Sequence, residues 1–338
     1  MADRVLVTGA AGFIAGYVIQ ELLRRGYSVT GLDDESKYGP VARSFDGHPE
    51  YLYVRGDARD VSLMTRLLEG CDHFIAGAAM IGGIGYFHRY PYDLLAVNER
   101  ITAAAGDAAI EARKAGRLRK VTWLSSSMVY ESATTFPSAE GDQFCDPPPV
   151  SSYGFQKLAV EYFARAARDQ HGLPFTIVRP FNCVGTGEAR SLRDAGADAA
   201  ATGHVVPDLA RKVLSHQDPV RILGSGMQRR HYTWGGDLAN GIVAAMEHPD
   251  APGEDFNLSS AQGTTVLELA RMIIAKVRGP DAPARFVSGK PYEHDVPCRI
   301  PDVSKARRML GFTAATSLSE MLDEVIPWVA GAMKDGRM

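Results

Sequence analysis

The chain has 338 residues, 45% hydrophobic and 23% charged, with a net charge of −3 and a pI near 6.3. That length suits one large α/β domain or a domain with a smaller lobe, and the charge gives no footprint for nucleic acid. Four scattered cysteines (Cys71, Cys145, Cys183, Cys298) show neither metal nor disulfide spacing, and no leader or 18-residue apolar run occurs, so a reduced cytoplasmic protein with no metal and no membrane partner is expected.

In chain order, "RVLVTG" predicts a strand and residues 12–25 a helix. The joining stretch "VTGAAGFIAG" has Gly9 and Gly12 for a tight turn and close backbone approach, with Ala15 at the third glycine position. The helix start, including Phe13 and Ile14, then presents free N–H groups and a positive dipole end to a pyrophosphate. "SVTGLD" is a second strand, ending at Asp33 about 20 residues after the loop, where a carboxylate accepts bonds from ribose hydroxyls. No basic residue follows directly ("LDDES"), which favours NAD over NADP. "YLYVRGD" is a third strand. Asp57 and Ala58 after it could meet the adenine, although an ordinary acidic turn residue explains Asp57 equally well.

Residues 61–69 predict a helix, "HFIAGAA" a fourth strand that includes the cofactor contact Ala78, and 92–115 a helix. "KVTWLSSS" is a fifth strand, 152–171 a helix, and "FTIVRPFN" a sixth strand. Strands alternating with helices predict a Rossmann-type, doubly wound parallel sheet. Beyond Asn182 the pattern loosens into a polar loop, "EARSLRDAGADAAATG", and helices at 205–215, 236–247, 264–277 and 317–333. Residues 1–180, with a returning segment about 231–258, are expected to form the NAD-binding domain. A smaller C-terminal substrate-binding lobe would take about 181–230 and 259–338.

In "SSYGFQK", Tyr153 and Lys157 share one face of a helix. Alone the pair is a common helix surface. Beside a nicotinamide, an ammonium near the phenol would favour phenolate, and it could also hold the nicotinamide ribose. Ser126, at the end of the fifth strand, could hydrogen-bond the same alcohol oxygen, while Ser125 could equally be a strand-end cap. The three together point to oxidation of a secondary alcohol.

"TGAAGFIAG", "SSSMVY", "SSYGFQKLAVE", "RPFNCVG" and "GSGMQRRHYTWGGDLANGI" together resemble the extended short-chain dehydrogenase/reductase family, in particular its nucleotide-sugar epimerases and dehydratases. The likeness runs from residue 4 to about 330. It implies Ser126, Tyr153 and Lys157 as catalytic triad, tightly held NAD, a nucleotide-sugar substrate and a homodimer formed through two helices per subunit. It also implies substrate contacts from Asn182, from Val205 within "HVVPDL", from Arg230 on the diphosphate and from Arg299 as a second arginine. Guanidinium forks suit phosphate oxygens.

Two departures narrow the chemistry. Dehydratases carry acids just after the catalytic Ser/Thr, where this chain has Ser127, a substrate contact, and Met128, whose thioether cannot exchange the proton that elimination needs. The glycine-rich stretch "AAMIGGIGYF", with Gly83 as a substrate contact, resembles the loop of GDP-mannose 3,5-epimerase and GDP-fucose synthase, though a plain flexible loop would read the same. Cys145, Cys183, His88, His204 and His231 read as structural. The sequence therefore predicts an epimerase acting at C4 through a transient keto-sugar. A reductase or dehydrogenase, a 3,5-epimerase, a 4,6-dehydratase and a non-catalytic NAD binder remain as alternatives.

Overall fold

The computed structural model describes residues 2–82, 84–188, 204–290, 296 and 298–338. Its strands are β1 (Arg4–Thr8), β2 (Ser28–Asp33), β3 (Tyr51–Arg55), β4 (His73–Ala76), β5 (Lys120–Leu124), β6 (Phe175–Pro180), β7 (Cys183–Val184), β8 (Val220–Leu223), β9 (Arg229–His231), β10 (Thr233–Trp234), β11 (Asp255–Leu258), β12 (Gly263–Thr265) and β13 (Phe286–Gly289). Its helices are α1 (Phe13–Arg24), α2 (Val61–Leu68), α3 (Ile84–Arg89), α4 (Pro91–Lys114), α5 (Ser152–His171), α6 (Val205–Leu214), α7 (Gly235–Glu247), α8 (Val266–Arg278), α9 (Ser304–Leu310) and α10 (Leu318–Lys334).

The central sheet runs β3-β2-β1-β4-β5-β6-β11, and every pairing is parallel. Apolar strands such as Val5-Leu6-Val7 are buried on both faces, as a parallel sheet between helical layers requires. On one face α1 and α7 pack through Ile19, Leu22, Leu238 and Ile242. On the other, α2, α4 and α5 pack through Met64, Ala108, Ala109 and Val160. The strand order reverses between β1 and β4, which opens the crevice where ligands bind in such sheets. A separate core, with Leu209, Val213, Ile222, Leu269, Ile273 and Leu322, joins α6, α8, α10 and β8.

Local rules explain most boundaries. Ser151 caps α5 by accepting the Gly154 N–H at 3.0 Å, and Gly172 ends it with a φ of 66°. Capping boxes at Thr265/Glu268 and Ser317/Glu320 start α8 and α10. The sheet gains β11 as a seventh strand beyond the six expected. The fifth strand stops at Leu124, before the serines, because Ser126 caps a 3-10 turn over Ser127–Tyr130. The glycine-rich stretch leads into α3 rather than staying a loop. Ala306 and Phe312, on and after α9, pack into the sheet-face core, within the stretch expected to belong to the lobe. Gly83 and all but Glu188 of the polar loop lie outside the described residues.

One polar cluster is buried deep in the fold. Arg179 and Glu161, both 0% exposed, form a bidentate pair with two bonds of 2.7 Å. Arg179 also reaches Asp255 Oδ2 at 2.6 Å and the Tyr130 hydroxyl at 2.9 Å, and Lys305 meets Asp255 at 2.9 Å. Arg179→Met is expected to cost about 3–5 kcal/mol in denaturant unfolding, since it strands two carboxylates in a dry site. Burial works to raise the Asp255 pKa, but Arg179 and Lys305 outweigh it and hold it at about 2. A depressed carboxylate contributes stability above its unfolded pKa and loses it as pH falls through the folded value. Unfolding between pH 5 and 2 should therefore show about 2 kcal/mol of acid loss that is absent from Asp255→Asn.

Candidate active site

The turn from β1 to α1 is fixed by steric limits. Gly9 has a φ of +78°, and a Cβ there would stand 3.0 Å from Ala78 Cα. A Cβ on Gly12 would stand 2.7 Å from the Gly9 carbonyl oxygen. The first turn of α1, with Phe13 and Ile14, can then aim its N–H groups into the crevice. Behind the turn, Arg43 Nη2 donates to the Ala11 and Gly12 carbonyls at 3.0 Å each. Arg43 sits in a loop without pattern, so nothing in the sequence pointed to it.

At the end of β2, Asp33 accepts the Ala11 N–H at 3.1 Å and the Glu35 N–H at 2.7 Å. Burial raises its pKa, and these two bonds pull the other way. Asp57 spends its carboxylate on Arg59, through bonds of 2.6–3.0 Å, and this pairing lowers its pKa. Asp57 and Ala58 both line the crevice, with the Asp57 carboxylate engaged by Arg59.

One cavity of about 490 Å³ brings together every expected site residue among the described ones. It runs from Asp33 and Asp57, past Gly9 and Ala78, to Ser126, Tyr153 and Lys157, then on to Ser127, Asn182, Val205, Arg230 and Arg299. A glycine turn with no room for a Cβ and a half-buried carboxylate at the β2 end fit an adenine dinucleotide.

At the centre of the cavity, Ser126, Tyr153 and Lys157 are all buried. The Ser126 hydroxyl hydrogen-bonds the Tyr153 phenol and accepts the Met128 N–H at 3.2 Å. The Ser125 hydroxyl instead donates to Glu161 Oε1 at 2.7 Å, so the two neighbouring serines divide between core and cavity. Lys157 Nζ donates to the Leu124 carbonyl at 3.0 Å. Burial pushes the Lys157 pKa down to about 8, against the opposing charge of Glu99.

Burial raises the Tyr153 pKa above its ordinary value, and the influences that lower it are the Ser126 bond and the charge of Arg299.

The far wall is built around Asn182, a non-glycine residue with a φ of +35°. Its Nδ2 donates to the His231 carbonyl at 3.2 Å, and its Oδ1 accepts Arg299 Nη2 at 3.1 Å. Arg299 Nη1 donates to Ser127 Oγ at 3.2 Å. Arg299 thus stands beside the serine turn, on the cavity lining. Arg230 is buried, with Nη1 on the Arg229 carbonyl at 3.0 Å. Met128 joins Tyr86, Leu94, Tyr153 and Val296 in an apolar wall. His204 pairs with Glu188, His231 Nδ1 meets the Ser260 carbonyl at 2.9 Å, and His88 is an exposed residue on the cavity rim.

A phenol bonded to a serine hydroxyl beside a dinucleotide crevice defines a nicotinamide-dependent enzyme of the short-chain dehydrogenase/reductase type. The chain belongs to the NAD dependent epimerase/dehydratase family, whose sequence profile matches residues 5–259, and its cofactor is NAD. Over 341 residues it is 29% identical to a UDP-glucose 4-epimerase of Yersinia pestis, covering 96% of each chain. It is also 29% identical over 337 residues to a UDP-N-acetyl-alpha-D-glucosaminuronate decarboxylase of Bacillus cytotoxicus, covering 97% of this chain and 98% of that one. The structure of UDP-glucose 4-epimerase from Bifidobacterium longum in complex with NAD+ and UDP superposes with a TM-score of 0.81 at 27% identity, covering 99% of both chains.

Asp33→Ala is expected to weaken NAD binding about 10- to 100-fold, the worth of a hydrogen bond to a charged group. Calorimetry on cofactor-stripped protein measures this, and an unchanged affinity would remove Asp33 from the ribose.

Proposed function

We propose that the protein is a nucleotide-sugar epimerase that inverts C4 of the sugar through a transient keto-sugar, with NAD recycled in place. The observation that carries this reading is the Ser126–Tyr153 pair, set in the wall shared by both halves of one continuous cavity. NAD, when bound, supplies the acceptor for the hydride and its return. Tyr153 takes the proton of the sugar hydroxyl and later gives it back, while Ser126 holds that oxygen. Lys157 secures the nicotinamide ribose. Arg230 and Asn182 hold the diphosphate and sugar, and Val205 lies over the nucleotide. The core around α6, α8 and α10 serves as the substrate lobe. The 4-epimerase relatives favour this reaction, and Met128 weighs against elimination because a thioether offers no proton.

A homodimer through α4 and α5 completes the proposal. These two helices pack side by side, and Tyr92 on α4 and Phe155, Tyr162 and Phe163 on α5 are large apolar side chains left exposed. Four free thiols agree with the cytoplasm as the place of action.

The test is incubation with a panel of nucleotide sugars in deuterated water, without added cofactor, followed by NMR. A C4-inverted product free of deuterium supports the proposal. Deuterium at C3 or C5 would replace it with carbanion chemistry. With the substrate so identified, Tyr153→Phe should lower kcat by about 10²- to 10⁴-fold and leave NAD bound, read as turnover and as cofactor released on denaturation.

A further inference from the structure

One arginine on the cofactor side has no part in the chemistry above. Arg43, in the loop between β2 and β3, reaches back under the turn that joins β1 to α1. There a single nitrogen, Nη2, donates to the Ala11 and Gly12 carbonyls at 3.0 Å each. The guanidinium is wedged between two glycines. A Cβ on Gly16 of α1 would stand 3.0 Å from Arg43 Cζ, and one on Gly187, after β7, would stand 2.9 Å from Nη1.

No acid of the protein answers this charge among the described residues. Asp46, the acid closest to it in the chain, accepts the Arg43 backbone N–H at 2.7 Å instead. Arg43 Nε is buried and has no hydrogen-bond partner, and both bonds from Nη2 go to neutral carbonyls. A cation drawn out of water is costly unless an anion meets it. The turn in front of Arg43 is where a dinucleotide sets its pyrophosphate.

The hydrogen bonds of the turn show how the arginine can act through it. The Gly9 and Ala10 N–H groups go to the Leu32 carbonyl at 2.8 and 3.1 Å, Ala11 to Asp33, and Gly12 to the Gly9 carbonyl at 2.8 Å. The N–H groups of Phe13, Ile14 and Ala15 open α1 and have no carbonyl to meet within the helix. A trans peptide sets its C=O and its N–H on opposite sides of one plane. Holding the Gly12 carbonyl towards Arg43 therefore turns the Phe13 N–H the other way, to the crevice that both residues line.

We propose that Arg43 is a positioning residue for the cofactor: from behind the glycine turn it fixes the peptides that bind the pyrophosphate and supplies the positive charge that this dianion answers. The acids of the cofactor half make such a charge valuable. Asp33, Asp34 and Asp57 line the crevice there against Lys37 and Arg59, and Arg59 is spent on Asp57. This role concerns NAD binding alone and is independent of which nucleotide sugar turns over.

The test uses adenosine and ADP, which differ only in the two phosphates, together with NAD. Each is titrated into full-length, cofactor-stripped protein, by calorimetry for ADP and NAD and by ligand-observed NMR for adenosine. In Arg43→Met the dissociation constants of ADP and NAD should rise at least about tenfold, as loss of one close charge in a partly screened site requires, with adenosine changed by less than about twofold. Arg43→Lys keeps the charge and should recover much of the ADP affinity. Arg43→Gln keeps an amide donor for the carbonyls and removes the charge. It should weaken ADP and spare adenosine, and it carries the test if Arg43→Met does not fold. Equal weakening of adenosine and ADP would make Arg43 a prop of the fold and overturn the proposal. Unchanged ADP affinity in Arg43→Met or Arg43→Gln would overturn it as well.

Discussion

The Arg179–Glu161 pair is the constraint on which the site depends. It lies where β5, β6, β11 and α5 meet, with no surface on either side chain. Removing two charges from water is costly, and an apolar pair of the same volume is often as stable. What the pair gives in return is geometry. Glu161 stands one helical turn after Lys157 and takes the hydroxyl of Ser125, so the strand end that carries Ser126 and the helix that carries Tyr153 and Lys157 are held at one separation. The Ser126–Tyr153 bond is an outcome of that spacing.

From this buried support the cavity is built in two chemical halves. The cofactor half is made mostly of backbone: two glycines, the start of α1, and carbonyls held by Arg43. The other half is made of side chains, with an apolar wall on one side and arginines on the other. A rigid backbone surface suits a group that stays bound, whereas side chains suit one that turns over. Family membership and NAD agree with the first half, and the proposed epimerisation draws on the second.

Much of this was legible in the sequence, and the parts that were not have physical reasons. The dinucleotide turn could be read because only small residues fit it, and the six alternating strands because buried parallel strands are runs of apolar residues. Ribbons such as β7 and β10, two residues each, carry no periodicity to detect. Arg43 acts through backbone carbonyls and leaves no pattern. Tyr153 and Lys157 were found by spacing, but spacing does not say where an ammonium points: the nearest acceptor, the Leu124 carbonyl, decided that. The partners of Arg299, Ser127 and Asn182, lie 172 and 117 residues away in the chain, so no local pattern could announce them.

The path of the polypeptide has one more consequence. After β6 the chain leaves the sheet, returns for α7 and β11, leaves again through α8, and comes back once more to lay Ala306 and Phe312 against the sheet-face core. The two halves of the molecule are therefore woven and not strung in series. A fragment ending near residue 180 would expose β6 as an open edge and leave Arg179 without Asp255, inviting aggregation. Recombination at a single point cannot graft a new substrate half onto this cofactor half. Within such a fold, new specificities have to arise by substitution inside the cavity rather than by exchange of modules.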